Sequence, residues 1–207
     1  MARSSRCGPS PYLNPLLLYL NAMLATLGIL AGVLALIADI PYLIDTYRRK
    51  TQPHRTTWIL FFLLNVVSLA NQHAAGAGNS LWLLVGYTIA TLLISLLALK
   101  NGVGGSSKED LFTFAISIIG ILLWLALKSP LPSILANIFA AFVAVIPTIK
   151  KAWHKPQSET AITWLLASFA SLLGALSVGK ADPVLLALPV YSVIIQFVTY
   201  CIIVRKK

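Results

Sequence analysis

Residues 40–58 read IPYLIDTYRRKTQPHRTTW, and residues 146–164 read IPTIKKAWHKPQSETAITW. Ile40 and Ile146, Pro41 and Pro147, Thr57 and Thr163, and Trp58 and Trp164 coincide at one ungapped offset of 106 residues. Tyr47 and Trp153 form an aromatic pair at the same offset, each beside basic residues. The chain therefore carries an internal duplication, and the two copies mark equivalent places in two structural units.

What surrounds the copies fixes the solvent. The 207 residues are 58% hydrophobic and 11% charged, against roughly 25% charged in a soluble domain. Runs such as LLLYLNAMLATLGILAGVLALIA hold no charge and exceed the ~20 residues that carry a helix across a bilayer. They do not alternate apolar and polar residues as barrel strands do. The expectation is an all-α integral membrane protein. Seven spans are predicted, over about 22–46, 57–75, 80–99, 111–128, 132–150, 161–179 and 184–204. The breaks between them collect Gly, Pro, Ser and nearly every charge, with Pro132 and Pro183 placed near helix starts. Arg3 and Arg6 resemble the start of a signal peptide, but the apolar stretch from Leu16 to Ile44 is far longer than a signal core. It is read as a retained first helix.

Basic residues favour the cytoplasmic side of short loops. Arg48, Arg49, Lys50, Arg55, Lys100, Lys108, Lys150, Lys151, Lys155, Arg205, Lys206 and Lys207 fall on one side, whereas Arg3, Arg6, Lys128 and Lys180 fall on the other. This distribution puts the N-terminus outside and the C-terminus inside. Both repeated loops are then cytoplasmic, so the two units share one orientation. Three helices that begin outside end inside, and a second such unit needs one further crossing before it. LFTFAISIIGILLWLALK at 111–128 supplies that crossing. The predicted organisation is a polar tail and helix start (1–21), a first triple-helix bundle (22–99), a linker with a fourth helix (100–131) and a second triple-helix bundle (132–207). Parallel repeats of this kind are a transporter architecture.

A proline near the cytoplasmic end of the first helix of a unit, a basic loop, and then Ser/Thr-x-x-Trp-like openings of the next helix, all given twice, resemble the PQ-loop and SWEET superfamily. The resemblance spans about residues 22–204. It implies the three–one–three plan and a role in moving or holding a small polar solute such as a sugar or an amino acid. At the family's Pro-Gln position this chain has Pro41-Tyr42 and Pro147-Thr148, and it has no asparagine within 81–99 or 184–204. Which solute is carried stays open.

Several residues stand out as a candidate site. Pro41 and Pro147 each remove a backbone bond to the carbonyl four residues back, at Ile37 and Val143. A matched pair of such bends suits hinges in a rocking motion; the alternative is a static bend that shapes packing. Trp58, Asn65, Ser68 and Gln72 fall on one helix face, and Trp164, Ser168 and Ser171 fall on the matching face of the sixth span. With Tyr87, Tyr191 and Asn137 they make a candidate substrate-binding set of Trp58, Asn65, Tyr87, Asn137, Trp164, Ser171 and Tyr191. Helix–helix adhesion explains the polar members equally well, and anchoring at the membrane interface explains the tryptophans. Asp39 lies among apolar residues about 9 Å inside the first span. An acid there either pairs with a cation, here Arg48 or Arg49, or carries a proton. The second option makes it a proton-coupling residue.

Other chemistries find little footing. The histidines His54, His73 and His154 are scattered, so no metal site is expected, and Cys7 and Cys201 sit too far apart for a disulfide framework. No cluster of catalytic side chains marks an enzyme, and no cofactor is expected. The glycine-rich NGVGGSSKED reads as a flexible connector, not a phosphate loop. The net charge of +10 is explained by loop topology and contact with anionic lipid, not by nucleic acid. The last span has no lysine to bind retinal. The function expected is transport of a small polar solute, with a ligand-binding receptor or sorting protein on the same fold as the alternative. Short loops point to a bacterial inner membrane, and one chain encloses a path, so a monomer suffices.

Overall fold

The structure, a computed structural model, describes residues 15–127 and 129–205. Arg3, Arg6, Cys7, Lys128, Lys206 and Lys207, used above, lie outside the described residues. The described chain is all α: α1 (Pro15–Tyr47), α2 (Arg55–Ala74), α3 (Leu81–Asn101), α4 (Lys108–Ala126), α5 (Pro130–His154), α6 (Ala161–Leu176) and α7 (Pro183–Val204), with one 3-10 turn at Pro156–Ser158. Each predicted span coincides with one helix, but α1 begins seven residues earlier than expected. Four helices, α1, α3, α5 and α7, are long and apolar enough to cross a membrane. The α6 helix is apolar and shorter.

The distribution of polarity is that of a protein surrounded by lipid. Leu30, Val33, Leu93, Leu96, Phe139, Phe142, Phe169, Ile194 and Phe197 are exposed, while Asp39, Ser68, Asn137, Ser171 and Thr199 are buried. In water this arrangement would waste the hydrophobic driving force and desolvate polar groups. In hydrocarbon it costs nothing on the outside and puts the polar groups where they find partners.

Small residues set how closely the helices approach. Gly28 and Gly32 of α1 sit against the backbone of Asn79 and Trp82, and a Cβ on Gly32 would lie 2.5 Å from the Trp82 carbonyl oxygen. Gly86 of α3 meets the Gly32 carbonyl in the same way. The Gly-x-x-x-Gly spacing at 28 and 32 lets the two backbones touch. Ala31, Ala35 and Ala38 line a second face of α1, fully buried against Leu83, Tyr87, Ala167 and Ala170.

The helix contacts follow the duplication. The α1 helix packs on α3 and on α6, whereas α5 packs on α7 and on α2. The α2 helix packs on α3, and α6 packs on α7. Exchanging α1 with α5, α2 with α6 and α3 with α7 maps this set of contacts onto itself. The first helix of each unit thus leans on the second helix of the other, so the middle of the molecule is built by both units. The α4 helix lies outside this arrangement, against α5 and α2.

The connector before α4 is ordered, not the flexible segment expected. Gly104 and Gly105 take φ of 74° and 101°, a conformation open to glycine at little cost, and a Cβ on Gly104 would collide with the His54 imidazole. Val103 pairs with His54 in a single parallel bridge. Ser107 and Asp110 form a reciprocal capping box at the start of α4. The Asp110 carboxylate also accepts from Gly105 N at 2.8 Å and from Thr56 Oγ1 at 3.2 Å. These bonds fasten α4 to the start of α2.

Candidate functional site

A buried cavity of about 80 Å³ lies where the two units meet, large enough for several water molecules. Both units contribute to its walls. Trp58, Asn65 and Ser68 come from α2, Asp39 from α1, Tyr87 and Thr91 from α3, Thr163 and Trp164 from α6, and Tyr191, Ser192 and Gln196 from α7. The hydroxyl and amide groups reach this depth because each sits on the inward face of a helix whose outward face is apolar. A second, narrower space shares Asn65, Tyr87 and Ser192 with the first and continues toward Gln72 and Ser80.

An aromatic cluster, the plug, forms part of the wall. The Trp58 and Trp164 rings stand 6.2 Å apart, and the Tyr42 ring lies 4.7 Å from that of Trp58. Trp58 Nε1 donates to Tyr42 Oη at 3.0 Å, which fixes the indole. Both tryptophans are buried, so neither is a membrane-interface anchor.

Below the plug the two repeated loops grip each other. Gln52 N donates to Ser158 O at 3.1 Å, and these residues also differ by 106 in number. Thr160 Oγ1 donates to Asp45 Oδ2 at 3.0 Å. Its proton being spent there, Thr51 is the donor in the 2.6 Å Thr51–Thr160 bond. Lys151 Nζ lies 2.5 Å from Glu159 Oε1 and donates to the Gln52 carbonyl. The Glu159 side chain is fully buried, and its other oxygen accepts from Trp164 Nε1 at 3.4 Å. The plug and the loop pair are thus one connected structure.

The candidate residues separate clearly. Trp58, Asn65, Tyr87, Trp164 and Tyr191 line the cavity. Ser171 and Asn137, expected with them, are not among its lining residues. Ser171 is fully buried and 2.8 Å from Tyr87 Oη, and it positions that phenol. Asn137 donates through Nδ2 to Ser68 Oγ and so ties α5 to α2. Ser168 is spent on the Val193 carbonyl at 3.0 Å. Pro41 and Pro147 both lie inside their helices, as expected.

Asp39 lines the cavity and is only 4% exposed. The ion pair with Arg48 or Arg49 is not formed: both arginines are exposed. Helix geometry explains this, because nine residues separate Asp39 from Arg48 and at 1.5 Å each that is about 13 Å along the axis. Among the described residues the Asp39 side chain has no hydrogen bond or salt bridge. Its counterpart in the second unit is Val145, which is fully buried.

Sequence reading missed Gln196, Thr163, Ser192 and Thr91 as wall residues. Tyr87 Oη lies 2.6 Å from the Ala167 carbonyl oxygen and 3.1 Å from Gln196 Oε1. Gln196 is the one amide inside the last predicted span, which was a usable signal. Thr163 was visible as a repeat residue, and its Oγ1 is buried without a hydrogen-bond partner among the described residues. Pro189, inside α7, has no counterpart proline in the first unit.

Comparisons with family models, with characterised proteins and with solved structures give no match to this chain.

Proposed function

We propose that the protein is a membrane transporter of the PQ-loop and SWEET kind, which moves a small polar solute by alternating access between two triple-helix units. In this reading all seven helices cross the bilayer, with the N-terminus outside and the C-terminus inside. The α2 and α4 helices, at 20 and 19 residues, measure about 30 Å, the thickness of the hydrocarbon layer. The α6 helix, at 16 residues, reaches only about 24 Å. It is flanked by α1 and α7, so few of its backbone ends meet lipid.

The observation that carries the reading is the cavity between the units, mostly apolar with a few polar side chains from both, and with a matched pair of tryptophans in its wall. A binding site shared by two similar bundles can open to either side when one bundle tilts against the other. With the paired loops cytoplasmic, the protein is shut toward the cytoplasm. Opening requires the Trp58–Trp164 contact, the Gln52–Ser158 bond and the bond from Lys151 to the Gln52 carbonyl to separate together. Pro41 and Pro147 each leave a carbonyl without its helical partner, just above this plug, and serve as the bending points. Asp39 exchanges a proton during the cycle.

The test is flux. Purified protein in sealed vesicles should accumulate labelled sugars, amino acids or amines faster than protein-free vesicles. Saturable binding without flux would sink transport and leave a receptor. Asp39→Asn in an imposed pH gradient examines the proton step, and an unchanged gradient dependence would remove it.

A further inference from the structure

The charge inventory of the cavity is lopsided. Among the described residues, Asp39 is the one ionisable carboxyl in its wall, and no lysine, arginine or histidine lines it. The groups of other elements that face this region are the phenols Tyr87 from α3 and Tyr191 from α7, with Tyr42 one turn along α1. Lys151 and Glu159 pair with each other outside the lining, where Glu159 also accepts from Trp164 Nε1 and Lys151 donates to the Gln52 carbonyl. An ionised Asp39 therefore has no counter-charge supplied by the described protein. Around it stand Trp58, Phe61, Tyr87, Trp164 and Tyr191, all lining the same space. Aromatic faces attract cations, tryptophan most strongly, and the attraction grows where water is excluded.

We infer that the cavity takes a small organic cation, a primary or quaternary ammonium lacking a carboxylate, with Asp39 as its counter-charge and the aromatic rings as its walls. The inference rests on the cavity being the solute site proposed above, and it names the solute class. The aliphatic or aromatic part of the guest meets the indole and phenyl faces. N–H donors of a primary amine have an acceptor in the Asp39 carboxylate, which lines the cavity. An amino acid zwitterion fits poorly, because its carboxylate would enter a wall with no basic side chain and one carboxylate already present. A sugar leaves the Asp39 charge uncompensated. One carboxylate accepts one positive charge, so a proton and an organic cation exclude each other. Binding of the amine displaces the proton, and that is the requirement for exchanging one against the other.

The experiment uses the full chain purified in detergent. Trp58 and Trp164 serve as intrinsic fluorescent reporters, and the probes are tetramethylammonium and phenethylammonium chloride, against glucose, glycine and sodium acetate. The ammonium probes should bind at least ~10-fold more tightly than the other three, the difference expected of a desolvated charge-assisted contact. Their affinity in the unmodified protein should weaken as the pH is lowered. Asp39→Asn should lose at least ~10-fold of it, and Asp39→Glu should keep most. Should Asp39→Asn fail to fold, the pH series on the unmodified protein decides alone. Glucose or glycine binding as tightly as the ammonium probes, or ammonium affinity indifferent to pH, or no binding of either ammonium probe, overturns the inference. The transport reading fails separately. Ammonium binding without flux in vesicles removes transport and keeps the cation site; glucose flux without ammonium binding does the reverse.

Discussion

Trp58 and Trp164, 106 residues apart in the chain, face each other across the centre of the molecule with ring centroids 6.2 Å apart. Gln52 and Ser158, separated by the same number, bond to each other directly at 3.1 Å. A residue can meet its own counterpart only near the axis that relates the two copies. The repeated stretch therefore marks that axis as well as the duplication.

Trp164→Ala should remove the half of the plug held by Glu159. Truncating a buried aromatic side chain costs about 3–5 kcal/mol, and the loss should appear as a lower midpoint of thermal unfolding in detergent. A cysteine placed at Ser192, on the cavity wall, should at the same time react faster with a membrane-impermeant thiol reagent added from the loop side. Unchanged reactivity would mean that the tryptophans do not seal that end.

Lys151→Met leaves Glu159 buried without its cation. Breaking one partner of a buried pair costs about 3–5 kcal/mol. The paired change Lys151→Met with Glu159→Gln should recover much of that, because no naked charge remains. Unfolding midpoints of the four proteins in this cycle give the coupling. Simple additivity of the two single changes would show that the pair is energetically idle.

Gly32→Val should disturb the α1–α3 contact, since even a Cβ at this position falls 2.5 Å from the Trp82 carbonyl oxygen. Overpacking of this sort costs about 1–3 kcal/mol. Gly78→Ala is the control: a Cβ there meets nothing within 4 Å, so its unfolding midpoint should stay close to that of the unmodified protein.

Acidification should loosen the loop that carries His54. Burial holds the His54 pKa below its ordinary 6.5; Asp110, at 3.3 Å, pulls it upward, and Lys151 pushes it down again. The folded state therefore prefers the neutral imidazole. The sign is that of a depressed pKa: the contribution is present above about pH 6.5, the unfolded value, and is lost as the pH falls through the lower folded value. Hydrogen exchange at the Val103 and Arg55 amides, which bond across this loop, should accelerate as the pH falls below 6.5, after correction for intrinsic rates. His54→Gln should flatten that response.

The helices were legible because each is a long apolar run bounded by charge, glycine and proline, and local composition suffices to say where a chain enters and leaves an apolar medium. The repeat was legible for the same reason: identity at one offset needs no folding to be seen. Asp39 stood out as an acid in an apolar run. Periodicity also put Trp58, Asn65 and Ser68 on one face, and that face does border the cavity.

What periodicity does not encode is which neighbour a face meets. Asn137 and Ser171 looked like Asn65 from the sequence, yet Asn137 turns its amide nitrogen to Ser68 and Ser171 sits against Tyr87, while Asn65, bonded to Thr91, lines the cavity. The reason is that α5 packs on α2, and α6 on α1, across the two units, which no local pattern records. Gln196 joined the wall because α7 brings it beside Tyr87. The ordering of the glycine connector depended on Asp110 and His54, which are distant in the chain and adjacent in space. The sequence alone determined the elements, their apolar surroundings and the duplication, because these follow from each segment's own transfer free energy. Only the tertiary structure decided which polar groups face the cavity, because that depends on which helix packing places beside each face.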